Sequence, residues 1–103
     1  MILIVLKVQI RADRRDDWLV GIQRYTDAVR QEQGSVSFEC FESIETPHEF
    51  VVVEAFESRE AGDAHVQTDH FKDFMVWFAE VVAAAPRIIN VEVPGWSEMA
   101  ELG

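Results

Sequence analysis

A single cysteine, Cys40, stands in the whole chain, so no disulfide can close within it and any metal cluster would have to be built on other ligands. That usage fits a reducing, cytoplasmic setting. Glycine is equally sparse: Gly21, Gly34, Gly62, Gly95 and Gly103 form neither a GxGxxG loop nor a phosphate-cradling P-loop, and no GxSxG elbow is present. Nucleotide cofactors held by those loops are thereby excluded. Nine Lys and Arg face nineteen Asp and Glu, and a formal charge of −10 repels nucleic-acid phosphates and anionic lipid heads alike. No apolar run approaches the ~20 residues needed to span a bilayer. Met1 to Leu6 is apolar but lacks a basic leader and is broken by Lys7, Gln9 and Arg11, so it reads as a first strand rather than a signal peptide. The expectation is a soluble protein with neither nucleic acid nor membrane as partner.

What the chain has in quantity is apolar side chains, 49% of 103 residues with seven Phe and three Trp, enough to drive one domain over residues 1–103. Ile2 to Ile10 is rich in β-branched residues and reads as a strand. Asp13 is the expected N-cap of a helix on which Trp18, Ile22, Tyr25 and Val29 share a face, with Gly34 as its stop. Val36, Phe38 and Cys40 alternate with polar residues in a second strand. A turn over 45–49 leads to a third, Phe50 to Glu57, in an antiparallel hairpin. Ser58 caps a short helix to about Gln67, and Thr68 or Asp69 caps another from His70 to about Ala84, with Phe71, Phe74, Met75, Phe78 and Val82 as its apolar stripe. Pro86 ends that helix and Ile88 to Val93 forms the last strand, leaving 94–103 as an extension beyond a core of about 2–93.

The order strand, helix, two strands, split helix, strand predicts an α+β, ferredoxin-like βαββαβ fold, an antiparallel sheet with helices on one face and its first and third strands central. Both of those strands are apolar on both faces. Ile2, Ile4, Leu6, Val8 and Ile10 oppose Leu3 and Val5, and Phe50, Val52 and Phe56 oppose Val51, Val53 and Ala55. Helices cover only one side, and the remaining patch exceeds what soluble monomers usually expose, which predicts a homodimer packed sheet on sheet.

Two histidines are the first candidates for chemistry. His65 and His70 would point about 140° apart on a continuous helix, so they form no HxxxH metal pair, but a break near Thr68 would let both approach one cavity. Imidazole suits general acid–base work because it titrates near ~6.5; the competing reading is a capping or partly exposed structural role. Glu54, between apolar neighbours in a central strand, is a carboxylate that needs a partner, either a histidine, a substrate hydroxyl or an ion pair. Trp18, Tyr25, Phe38, Phe71, Phe74 and Trp77 either pack the core or line a pocket for a flat aromatic ligand. Two histidines with Asp69 or Glu54 could bind iron or zinc in principle, but the spacing matches no strong metal signature, and no metal is assigned.

The runs Gly34-Ser35-Val36-Ser37-Phe38-Glu39 and Phe50-Val51-Val52-Val53-Glu54-Ala55-Phe56-Glu57-Ser58, followed by Ala64-His65 and His70-Phe71, resemble the antibiotic biosynthesis monooxygenase family over roughly residues 2 to 93. The resemblance implies a dimeric α+β barrel with a pocket between sheet and helices in each subunit. It does not fix the reaction, because the family includes cofactor-independent oxygenases of aromatic polyketides, quinol monooxygenases, haem-degrading enzymes and isomerases. The Asn and Trp that serve the polyketide oxygenases correspond to about Ala61 and His65 here, and the residues that serve haem degradation to about Gln9, His65 and Met75. The match is nearer to quinol monooxygenase-like members. It implies a monooxygenase that needs no cofactor and oxidises a small aromatic phenol or hydroquinone with O2, His65 or His70 serving as base. The alternatives are a non-catalytic small-molecule-binding or stress-associated dimer, and an isomerase on the same fold.

Overall fold

The computed structural model describes residues 1–100. Four strands, β1 (Ile2–Gln9), β2 (Ser35–Glu42), β3 (Glu49–Phe56) and β4 (Arg87–Glu92), form one antiparallel sheet in the order β2-β3-β1-β4. Its helices are α1 (Arg15–Val29), α2 (Arg59–His65) and α3 (Asp69–Val81), with a 3-10 turn at Ala12–Arg14 before α1. The ferredoxin-like α+β architecture and the central places of β1 and β3 are as expected. Of the predicted extension, residues 94–99 carry no regular structure, and residues 101–103 lie outside the described residues.

The core lies between the sheet and the helices. Ile2 and Val8 of β1, Phe50, Val52 and Phe56 of β3 and Phe38 of β2 meet Trp18, Ile22, Tyr25 and Val29 of α1 and Phe78 and Val81 of α3. Trp18, Phe56, Val29 and Val81 are wholly buried. Burial of an aliphatic or Phe side chain of this kind contributes about 1.5–3 kcal/mol, so the α1 face carries much of the fold's stability. Ile4 and Leu6 point the same way yet stay only partly covered. The helical layer leaves a gap above them, and that gap becomes the cavity described below.

Several expected boundaries move for local reasons. Asp13 does not cap α1: it sits in the 3-10 turn and pairs with Arg11, while Arg14 occupies the N-cap position without a side-chain bond. The helix ends at Val29, five residues before Gly34. Gly34 has no left-handed backbone to justify it; it is needed because a Cβ there would collide with the Cβ of Ala61. Val36, expected to face inward, is half exposed, since a register shift between Ser35 and Ser37 turns it away. Helix α3 stops at Val81 rather than Ala84. Val82 turns extended and bridges Ile10, with Ala83 N–H donating to the Gln9 carbonyl at 2.8 Å, so pairing with the end of β1, and not Pro86, terminates it.

Ser58 and Thr68 do cap as predicted, their hydroxyls accepting from the N–H groups of Ala61 and Phe71. The other sheet face is apolar and uncovered: Phe41, Ile89 and Val91 are 53%, 60% and 41% exposed, beside half-buried Leu3, Val5, Val51 and Val53.

Where α1 meets α3, the Trp77 ring lies against Gly21, its Cζ2 2.8 Å from where a Cβ would stand, and it stacks on Trp18 at a 3° interplanar angle. Alanine is the better helix former by about 1 kcal/mol, yet Gly21→Ala should destabilise by about 1–3 kcal/mol because Trp77 must leave that stack. Urea unfolding checks this, and the cost should largely vanish in a Trp77→Ala background. Equal costs in both backgrounds would show that the rings do not compete for this space.

Candidate functional site

Thr68 makes the site possible. Its hydroxyl donates to the carbonyl of His65, the last residue of α2, at 2.7 Å, and accepts from Phe71 N–H in the first turn of α3. One side chain thus closes one helix and opens the next, and the chain between them bends. The bend brings His65 and His70, five residues apart, to one oxygen of a single carboxylate.

That carboxylate is Glu32, in the turn between α1 and β2. The turn is fixed by Arg30, whose guanidinium donates twice to the Phe38 carbonyl, at 2.8 and 3.2 Å. Glu32 Oε2 lies 2.8 Å from His65 Nδ1 and 2.6 Å from His70 Nε2. An ionised carboxylate only accepts, so each of these nitrogens carries its proton toward Glu32. In the neutral ring, His65 Nε2 is then left as an acceptor. It receives the Tyr25 hydroxyl at 3.3 Å and lies 3.7 Å from Glu54 Oε1.

His65, Tyr25 and Glu54 are all nearly inaccessible to solvent. Burial, then the charge of Glu32, raises the Glu54 carboxyl to about 7. The 3.7 Å approach of His65 is too long for a hydrogen bond and does not offset the burial. Tyr25 is pushed upward from its ordinary value by burial first and then by Glu54 and Glu32. Its phenol therefore stays protonated and serves as a donor.

Beside these groups lies an apolar cavity of about 360 Å³. Of the aromatic candidates, Trp18, Tyr25, Phe38, Phe71 and Phe74 line it, together with Glu54 and His65. Ile88 and Asn90 of β4 also border it and are exposed, which puts its mouth between α3 and the sheet edge. Trp18 brings a wholly buried indole N–H that no protein group accepts. His70 and Trp77 do not reach this cavity: they face a wider groove between α1 and α3, on the far side of the Tyr25–Phe74 stack, whose ring centroids are 3.9 Å apart.

Glu32 carries no sequence signal. It occupies a polar turn without periodicity and meets its partners 33 and 38 residues later. The cluster that could hold a metal is accordingly Glu32 with His65 and His70, rather than a set including Asp69 or Glu54.

A family model described as "Antibiotic biosynthesis monooxygenase" matches residues 1–77. Among curated proteins, the Bacillus subtilis protein named "Putative monooxygenase YcnE" is 24% identical over 93 residues, 90% of this chain and 98% of its own length. Solved proteins from Deinococcus radiodurans (TM-score 0.88, 16% identity, 96% of this chain and 98% of that one) and Mycobacterium tuberculosis (TM-score 0.86, 20% identity, 94% and 98%) share its fold. At such identities the structural likeness speaks for fold alone. No helix among the described residues is long and apolar enough to cross a membrane.

The raised Glu54 carboxyl has a measurable consequence. Folding holds its proton more tightly than the unfolded chain does, so its stabilising contribution is complete below about pH 4.5 and is lost as pH rises through about 7. The loss is of order 3 kcal/mol. Glu54→Gln removes this dependence, so the stability of the variant relative to wild type should climb by about 2–3 kcal/mol between pH 5 and 8. Urea titrations across that range test it, and a flat difference would mean Glu54 ionises freely in the folded protein.

Proposed function

Because the chain belongs to the antibiotic biosynthesis monooxygenase family, we propose that it oxidises a small hydroquinone or related phenol with O2, using the substrate itself as the source of electrons and His65 as the base. The observation that carries this reading is the polarity of the His65 ring. Nδ1 is committed to Glu32, and Nε2 presents an acceptor at an apolar cavity of a size suited to a single aromatic ring.

In this reading the substrate hydroxyl takes the position now held by the Tyr25 hydroxyl and gives its proton to Nε2. Glu32 stabilises the resulting imidazolium, as a carboxylate behind a catalytic histidine does. Tyr25 is a donor for a substrate oxygen. The phenolate passes one electron to O2, and superoxide and the ring radical combine to form a C–O bond. The proton returns from His65 to give a ring hydroperoxide. Loss of the hydrogen on that carbon together with cleavage of the O–O bond releases water. The balance is hydroquinone plus O2 giving hydroxyquinone plus water. The ring supplies all four electrons, and no external reductant enters. The apolar walls keep water from the radical pair.

Oxygen uptake with a panel of hydroquinones, with product analysis under isotopically labelled O2, tests the proposal. His65→Ala should lower kcat by about 10²–10⁴, the usual contribution of a positioned base, and one labelled oxygen should appear in the product. Unchanged rates in His65→Ala would remove the base from the mechanism. Tight ligand binding without any turnover would favour the non-catalytic binding module.

We also propose that the protein works as a two-fold symmetric homodimer joined through the open sheet face. Support comes from the exposed Phe41, Ile89 and Val91 flanking the half-buried Leu3, Val5, Val51 and Val53, an apolar patch of the kind that marks an interface. Light scattering after size exclusion should give the mass of two chains for wild type and of one for Val53→Glu. A monomeric wild type at tens of micromolar would overturn the dimer.

A further inference from the structure

The function proposed above uses both nitrogens of His65 and leaves His70, on the far side of Glu32, unexplained. There, one carboxylate oxygen sits between His65 Nδ1 at 2.8 Å and His70 Nε2 at 2.6 Å, and the three ligand atoms all lie within 4.8 Å of one another. Glu32 is paired with no Lys or Arg among the described residues, since the nearby Arg30 is spent on the Phe38 carbonyl. The carboxylate is therefore a largely buried negative charge in a chain of net charge −10, met only by two imidazoles.

We propose that Glu32, His65 and His70 form a binding site for a divalent transition-metal cation of the zinc class, and that its occupancy switches His65 Nε2 from proton acceptor to proton donor. Two imidazoles and one carboxylate are ligands of the right type for such an ion. With bonds of about 2.0–2.1 Å in tetrahedral geometry, ligand atoms stand about 3.4 Å apart. The two separations from Glu32, 2.8 and 2.6 Å, would open by roughly 0.7 Å on that basis. His70 can supply its share of this movement, because it lies in the first turn of α3 with its side chain 31% exposed and faces the outer groove, while Glu32, on a turn, must draw back from the buried His65. The same exposure gives the ion its route of entry and leaves a fourth position for water.

The proton inventory is simple. A neutral imidazole bound to a metal through one nitrogen carries its hydrogen on the other. In neutral rings the His65 proton moves from Nδ1 to Nε2 on binding, and the His70 proton from Nε2 to Nδ1. His65 Nε2 then points an N–H at the cavity, where the mechanism needs a lone pair. The metal is thus inhibitory, a consequence that rests on His65 being the base, whereas the site itself does not.

Co(II) titration by visible absorption, together with Zn(II) calorimetry on the full chain, tests the site. One equivalent should bind wild type, and equally His48→Ala, whose histidine lies elsewhere. Binding should weaken at least tenfold in His70→Ala and in Glu32→Gln, with circular dichroism confirming that both variants fold. Equal affinity in wild type and His70→Ala, or no absorption change up to millimolar Co(II), would overturn the site. The switch is read without turnover from two-bond proton–nitrogen spectra of the His65 ring, which should move from the Nδ1–H to the Nε2–H form on adding Zn(II). An unchanged tautomer at full occupancy would overturn it. Where oxygen uptake is found, Zn(II) should suppress it reversibly in wild type, and each variant is compared with its own metal-free rate. Loss of the oxidase reading alone leaves the cobalt and tautomer measurements standing.

Discussion

The constraint on which the rest depends is that β1 and β3 are apolar on both faces while the chain supplies helix enough to cover only part of one. Phe50, Val52 and Phe56 find cover under α1 and α3. Ile4 and Leu6, on the same face, do not find it fully, and that deficit is the cavity. A tightly filled core would have been more stable by the cavity terms that large-to-small substitutions reveal. The fold keeps the space, and its apolar walls set the low polarity in which the Glu54 carboxyl rises to about 7. Cavity, perturbed acid and bare outer face follow from one distribution of apolar residues.

What the sequence made legible is what short-range physics writes into it. The period of Trp18, Ile22, Tyr25 and Val29, the alternation along β1 and β3 and the caps at Ser58 and Thr68 were all readable, because each depends on neighbours within a turn or a strand. The misplaced boundaries depend on contacts made across the fold. Val82 leaves α3 because Ile10 is there to pair with it, and Gly34 is small because Ala61 sits opposite, not because its backbone is unusual. A rule based on local residue preference has no access to either.

The candidate site divides along the same line. His65, Glu54 and most of the aromatic lining are visible as residues of telling type on periodic elements. Glu32 is not, since a glutamate among glutamines in a turn has no distinguishing neighbours and its role is created at separations of 33 and 38 residues. The five-residue gap between the histidines shows the limit clearly. On an unbroken helix it separates them by about 140°, and it becomes a convergence only because Thr68 ends one helix and starts another. The convergence is on Glu32, with one ring at the cavity and the other at the groove.

That arrangement makes the carboxylate more than an orienting group for His65. A glutamate bound to a single histidine would fix one ring and one tautomer, and its remaining lone pairs would face water. Glu32 instead shares one oxygen between two rings of unequal exposure, 4% for the His65 side chain and 31% for that of His70. A ligand held jointly by the outer imidazole, that oxygen and the inner ring would act on the inner ring's proton, because the inner ring has only two nitrogens and a constraint on one assigns the other. The inner ring meets the cavity and the outer ring meets the groove, so one carboxylate joins the two spaces without any backbone between them. The Tyr25–Phe74 stack separates cavity from groove, and Glu32 is the group that touches a ring on each side of it.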